Sequence, residues 1–384
     1  MTSDLFGKPM GGNARPEFKL DLQQKRQATL LYHWMSLDYL KGLKHLIDAL
    51  IKGADVNLEL AKQQGRDELI ANDRWGVRDT SANWSTHVFP ALEDFKKSTI
   101  KDIALRAVES YEFTGANQCA RMIQEFSSMW MTPEEEEQFK QQWEAVYRYA
   151  SHIDHAAGVG GRRHHLHDFS MSNRWQEFAS LFPQLPKFRV RTDVEGVSGK
   201  KPPRTGVYVA QDDPYATLQF AWTGNSDGML GDAQTLTDVG RRAMAALGRD
   251  AIWVDTRRMA AYTADAFKRG ELTERGGFPP GSEDDSEFAG TILSINSRTS
   301  RACKWYFVER VEGEYEDEDL HQADAQTSAQ PLRLRVEAGQ PCSKTGFWFT
   351  PARQNSRSHF EAGQTMPEVG GTYGTTIWQW DEQQ

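Results

Sequence analysis

Pro203-Arg204-Thr205-Gly206-Val207-Tyr208-Val209-Ala210 has a counterpart near the end of the chain, Pro341-Cys342-Ser343-Lys344-Thr345-Gly346-Phe347-Trp348-Phe349-Thr350. Each phrase reads Pro, a short spacer, Thr-Gly, then an apolar-aromatic-apolar run. A turn that needs glycine, followed by branched and aromatic side chains, marks a short strand leaving a tight turn. Recurrence at long separation implies two related β modules rather than one catalytic loop.

Upstream of the first phrase the texture is helical. Leu30, Trp34, Leu37, Leu40, Leu43, Ile47 and Leu50 recur at helical spacing, as do Cys119, Met122, Ile123, Phe126 and Trp130. Thr132-Pro133-Glu134-Glu135 is a helix start, with a Thr cap, Pro at the first helical position and Glu three residues on. The acidic run Glu134 to Glu137 suits a helix N-terminus without invoking function. From Ser151 to Phe169 the spacing breaks, and Pro183 and Pro186 mark a boundary. Beyond it, Leu236, Val239, Ala243, Met244 and Leu247 form a helical stripe that Gly248 is placed to end. Ala251-Ile252-Trp253-Val254 and Lys304-Trp305-Tyr306-Phe307-Val308 read as strands, and Leu332-Arg333-Leu334-Arg335-Val336 alternates as a half-buried one. Glu312 to Gln330 is acidic with scarcely an apolar residue, the composition of a linker. The expected class is α+β: a helical domain over 1–182, an α+β module over 183–311, an acidic linker over 312–330 and a small β module over 331–384. The β-rich half is expected to hold one or two small barrel-like modules.

At 384 residues the chain exceeds one ordinary core. No window approaches the roughly 20 apolar residues of a membrane span, and no secretory leader is legible at the N-terminus. The three cysteines (Cys119, Cys303, Cys342) have no metal-ligand spacing, so they read as buried free thiols of a protein expected in the cytoplasm. A net charge of −9 argues against a nucleic-acid partner and is compatible with a basic protein partner.

Several residues carry chemistry on paper. His152, Asp154 and His155, then His164, His165, His167 and Asp168, suit zinc or nickel by type, but their spacing matches no closed ligand set. Gly158-Val159-Gly160-Gly161-Arg162-Arg163 lacks the last glycine of a dinucleotide loop. Asp212-Asp213-Pro214 offers two carboxylates, though this is also the composition of a turn. No cofactor is implied. Glu314, Glu316, Asp317, Glu318 and Asp319 read either as solvated linker or as a docking strip for a cationic partner. Trp348, Trp378 and Trp380 read either as module core or as aromatic anchors of an interface.

The C-terminal third, Ala338-Gly339-Gln340-Pro341-Cys342-Ser343-Lys344-Thr345-Gly346-Phe347-Trp348 with Ser356-Arg357, Phe360, Gly363, Met366-Pro367 and Gly374-Thr375-Thr376-Ile377-Trp378-Gln379-Trp380, resembles the ending of bacterial immunity proteins of polymorphic-toxin and type VI secretion systems, of the family 71 or 72 type. Gly206 to Val209, Asp212-Asp213-Pro214, Ala216 to Trp222, Gly248-Arg249-Asp250 and Trp253 are similar to the same family. The resemblance covers roughly the second half of the chain. It implies an antitoxin that binds one secreted effector's toxic domain inside the producing cell and blocks it by occupancy, with no catalytic residues to carry over. A basic toxin would meet the acidic residues and Trp348, Trp378 and Trp380. The alternative expectation is an enzyme, either a metal-dependent hydrolase using the histidine segment or one reversing a toxin's modification.

Overall fold

Asp21 opens the first helix with a reciprocal cap. Its carboxylate accepts from the Gln24 backbone while the Gln24 side chain accepts from the Asp21 backbone. In the computed structural model, which describes residues 18–71, 76–158, 168–249, 251–317, 335–350, 353, 356–369 and 376–381, this cap starts α1 (Leu22–Trp34). There follow α2 (Leu37–Gln63), α3 (Arg66–Ala71), α4 (Ser81–Leu105), α5 (Ala116–Glu125), α6 (Pro133–Ala157) and α7 (Asp168–Phe178). Thr132, Pro133 and Glu135 build the expected capping box of α6. That helix runs on to Ala157, past the break expected at Ser151, because Ala150, Ile153, Ala156 and Ala157 keep facing the core.

The remaining elements are β1 (Leu185–Val197), β2 (Gly206–Ala210), β3 (Gln219–Ala221), β4 (Ala233–Leu236), α8 (Asp238–Leu247), α9 (Thr256–Lys268), α10 (Ala289–Ser297), β5 (Arg298–Arg301) and β6 (Lys304–Glu316), then β7 (Arg335–Glu337), β8 (Gly346–Phe349), β9 (Ser358–Phe360) and β10 (Ile377–Trp380). Helices dominate the N-terminal part and antiparallel strands the C-terminal part, the α+β class read from the sequence. Gly248 ends α8 as expected. Ala251–Val254 is a turn rather than a strand: the Val254 and Asp255 amides both return to the Ala251 carbonyl, and Trp253 sits at φ 72°.

The chain divides into two compact units, Met1–Asp317 and Glu318–Gln384. Phe182 does not separate two cores within the first. Leu30, Trp34 and Leu40 from the helices and Val207, Val209, Phe220, Trp222 and Val308 from the strands form one buried cluster. A linker beginning at Glu312 also fails, because β6 continues to Glu316 in register with Leu185 of β1. Glu318 to Gln330 lie outside the described residues.

The repeated phrase is a repeated fold. The first unit holds a sheet of order β1-β6-β2-β3, and the second holds β7-β10-β8-β9. Among the described residues neither sheet closes on itself, so the modules are open four-stranded sheets and not barrels. The match extends to single pairs. Tyr208 lies opposite Phe307 and Gln219, and Trp348 lies opposite Trp380 and Ser358. Gly196 faces Trp305 as Val336 faces Trp378.

The approach to each Thr-Gly is also the same. The Gly199 amide donates to Leu230 at 2.7 Å and Leu230 returns a bond to Lys200; the Gly339 amide donates to Met366 at 2.8 Å and Met366 returns one to Gln340. The Tyr208 hydroxyl donates to the Arg204 carbonyl at 2.6 Å, and the Trp348 indole N–H donates to the Lys344 carbonyl at 3.0 Å. Each ring thus satisfies its polar end on the turn four residues before it. Gly206 and Gly346 sit at φ 149° and 151°, a region open to glycine, which is why each phrase needs that residue.

Candidate interaction surfaces

The carboxylates considered for catalysis are engaged structurally. Arg301 of β5 donates to Asp212 at 2.9 Å and to Asp213 at 3.2 Å. Buried Asp213 also accepts from the Thr235 hydroxyl at 2.8 Å and caps the Tyr215 amide at 3.0 Å. It is a buried turn residue with Arg301 as its counter-ion, its oxygens already engaged as acceptors rather than free for a metal or a general base. Deeper in the helical layer, Asp154 accepts from the Thr114 amide at 2.7 Å and its hydroxyl at 2.9 Å. Burial pushes Asp154 up to about 7 and Asp102 up to about 6. Asp154 thereby holds α6 to Thr114, and Asp102 is a buried group of α4.

His152 lies between the Trp34 ring, stacked at 4.9 Å, and the Tyr39 hydroxyl, 2.9 Å from Nδ1. Burial pushes its pKa down to about 3, so the imidazole is a neutral core group. His164, His165 and His167 lie outside the described residues. Among the described residues no three His, Cys, Asp or Glu side chains gather as metal ligands.

A recess lined by Phe169, Tyr215, Thr217, Thr235, Trp253 and Arg298 encloses about 10 Å3. That is room for about one water, and the Thr217 hydroxyl and Trp253 indole N–H that line it have no protein partner. It is too small for an organic substrate.

The acidic strip proves to be part of a ladder. Glu314 pairs with Lys187 at 2.7 Å and Glu316 with Lys25 of α1 at 2.7 Å. Asp317 accepts from the Gln184 amide at 2.7 Å, and upstream Glu309 meets Arg191 at 3.2 Å. Cations of α1 and β1 therefore pair with Glu316 and Glu314 of the stretch that composition assigned to a docking strip. Glu318 and Asp319 lie outside the described residues.

Trp348 and Trp378 are 0% and 2% exposed and form, with Cys342, Phe360 and Met366, the core of the second unit. Trp380 packs against Trp348 edge-on at 5.3 Å. Trp348 and Trp378 are thus core residues and not exposed anchors, because both point to the one buried face of their sheet.

The opposite face of that sheet was not legible beforehand. Alternation puts Phe347, Phe349, His359, Ile377 and Gln379 on it, since Phe347 pairs with His359 and Phe349 with Gln379. The matching positions of the first sheet are Val207, Val209, Phe220, Lys304 and Tyr306. There α1 covers Val207, Val209 and Phe220, while Lys304, the counterpart of Ile377, stays exposed. Tyr32 donates to the Val308 carbonyl, Tyr32 stacks on Phe188 at 6.1 Å, and the Leu218 amide donates to Gln27 at 3.0 Å. In the second unit Ile377 is 40% exposed, His359 is exposed, and Phe349 and Gln379 are half-buried. Arg357 stacks over Phe347 at 4.0 Å and pairs with Asp381. An aromatic centre with a charged rim is the composition of a protein-binding face.

Comparison with protein-family models, with curated proteins and with solved structures returns no match. No described helix is long and apolar enough to cross a membrane.

Proposed function

We propose that this chain is an immunity protein, which binds the toxic domain of a cognate secreted effector in the cytoplasm and neutralises it stoichiometrically. The resemblance of the C-terminal third motivates the reading. The observation that supports it best is the doubled module: one copy uses its sheet face to hold a helix of its own chain, and the other presents an aromatic, charge-rimmed face. A scaffold whose titratable groups are engaged in core networks and ladders works by occupancy rather than by turnover. Electrostatics has a smaller share than the −9 balance implies, since Glu314 and Glu316 already have partners.

The test is coexpression with the product of each neighbouring reading frame. Neutralisation should saturate at a fixed molar ratio, and the two chains should co-elute. Turnover by the isolated protein, or rescue at far fewer copies than toxin molecules, overturns the reading. Joint neutralisation of Glu314, Glu316 and Asp317 should raise Kd less than tenfold if charge is secondary.

A further inference from the structure

The first copy of the module shows what this fold does with the face that β2, β3 and β6 share. It lays α1 across it, with Ala28, Leu31 and Tyr32 over Val207, Val209, Phe220 and Val308 in one core. Polar contacts fix that helix: Gln27 accepts from the Leu218 amide, Tyr32 donates to the Val308 carbonyl, and Lys25 pairs with Glu316. The second copy keeps apolar bulk at the centre of the face, with Phe347 and Phe349 for Val207 and Val209. It changes the flanks, with Arg357 for Leu218, His359 for Phe220 and Asp381 for Val308. Larger rings at the centre and ionisable groups at the rim suit a face that is wetted when the protein is alone and covered in a complex. Arg357 immediately precedes β9 and His359 lies on it, so that edge offers a guanidinium and an imidazole, and the side chain of Arg357 is 45% exposed even while paired with Asp381.

From this we infer that the Phe347–Phe349 face is the docking surface for an amphipathic α-helix of the partner, with its apolar stripe on the two rings and a carboxylate toward Arg357 and His359. The inference rests on the binding reading above and names the element bound. The mode is a helix laid on a preformed surface, recognised through side chains at helical spacing.

The probe is a synthetic peptide of residues 19–35, the helix that the first copy holds, with Gln27, the residue that meets Leu218 there, replaced by Glu to supply the carboxylate. It is titrated into the full chain carrying 13C-labelled isoleucine methyls. The Ile377 methyl should shift or broaden saturably, while Ile292, buried in α10, stays fixed. Phe349→Glu and, separately, His359→Glu should each weaken the peptide at least tenfold, with the indole resonances of Trp348 and Trp378 confirming that the sheet is intact. Should Phe349→Glu disturb those indoles, His359→Glu, at an exposed position whose counterpart Phe220 lies under α1, decides alone. A silent Ile377 methyl, or binding unchanged by the substitution that leaves the sheet intact, overturns the inference. A second arm separates the two readings: a toxin still neutralised in full by the Phe349→Glu protein refutes this docking face and leaves the immunity reading standing, whereas peptide binding without toxin binding refutes immunity alone.

Discussion

Trp348→Ala should unfold the C-terminal unit and leave the first unit folded. Trp348 is fully buried, and its indole N–H donates to Lys344. A tryptophan buries roughly 200 Å2, worth about 5 kcal/mol at ~25 cal/mol per Å2. Large-to-alanine substitutions in cores cost about 3–5 kcal/mol, and the lost hydrogen bond adds about 1 kcal/mol. The core that must absorb this consists of Cys342, Trp348, Phe360, Met366 and Trp378, with Val336, Val369 and Trp380 packed beside it. So small a core rarely supplies more than about 3–5 kcal/mol of net stability. The loss equals or exceeds the supply. Amide hydrogen exchange read by mass spectrometry checks it: peptides from 335–381 should exchange at unfolded rates, while β2 and β6 keep wild-type protection. Retained protection of β8 and β10 would refute the packing argument. Lost protection of β2 and β6 would refute the division into two cores.

Three further outcomes follow from the first unit. Asp154 titrates in the folded state near 7, above the unfolded value of 3.8, so its contribution is fully present below about pH 4 and is lost as pH rises toward 7. His152, depressed to about 3, acts in the opposite sense, losing stability as pH falls below 6.5. The difference between wild type and Asp154→Asn isolates the carboxylate: in urea unfolding the variant should gain on wild type by a few kcal/mol between pH 5 and 8, and parallel pH profiles would contradict this. Arg301→Met leaves Asp213 buried without its cation and should cost about 2–3 kcal/mol, below the fully buried value because Arg301 is 37% exposed at its side chain; an unchanged urea midpoint would refute it. Gly206→Ala sets a Cβ 2.6 Å from the Phe307 ring at φ 149° and should cost at least about 2 kcal/mol, read as a lower midpoint with an unchanged slope.

The parts of this fold legible in the sequence are those with local causes. The Thr132 capping box, the Gly248 stop and the Thr-Gly turn before each strand depend on neighbours within a few residues, and each stands where it was expected. Composition reports polarity and not pairing, so it reads Glu312 to Glu316 as linker: β1, distant in sequence but adjacent in the sheet, supplies Lys187 and a hydrogen-bonded register. Trp253 was misread for a related reason, since an apolar run of four does not show that Gly248 and Ala251 will tie it into turns. The tryptophans of β8 and β10 were visible as a group. Which face of their sheet would be buried was not, because Trp348 and Phe349 differ only in which side of one strand they take. Phe349 and His359 therefore escaped notice, although strict alternation from Gly346 carried the signal.

Between Leu230 and Cys303 the first copy houses β4, α8, α9, α10 and β5, whereas only nine residues separate the corresponding points of the second copy, Met366 and Thr376. Ala233 and Arg301 lie side by side in a ladder, so the whole helical excursion leaves and re-enters through neighbouring positions. The module thus behaves as a socket with one port. A reporter domain with adjacent termini, spliced after Pro367, should be accepted there, which makes that junction the natural place to attach a fluorescent tag without touching either face of the sheet.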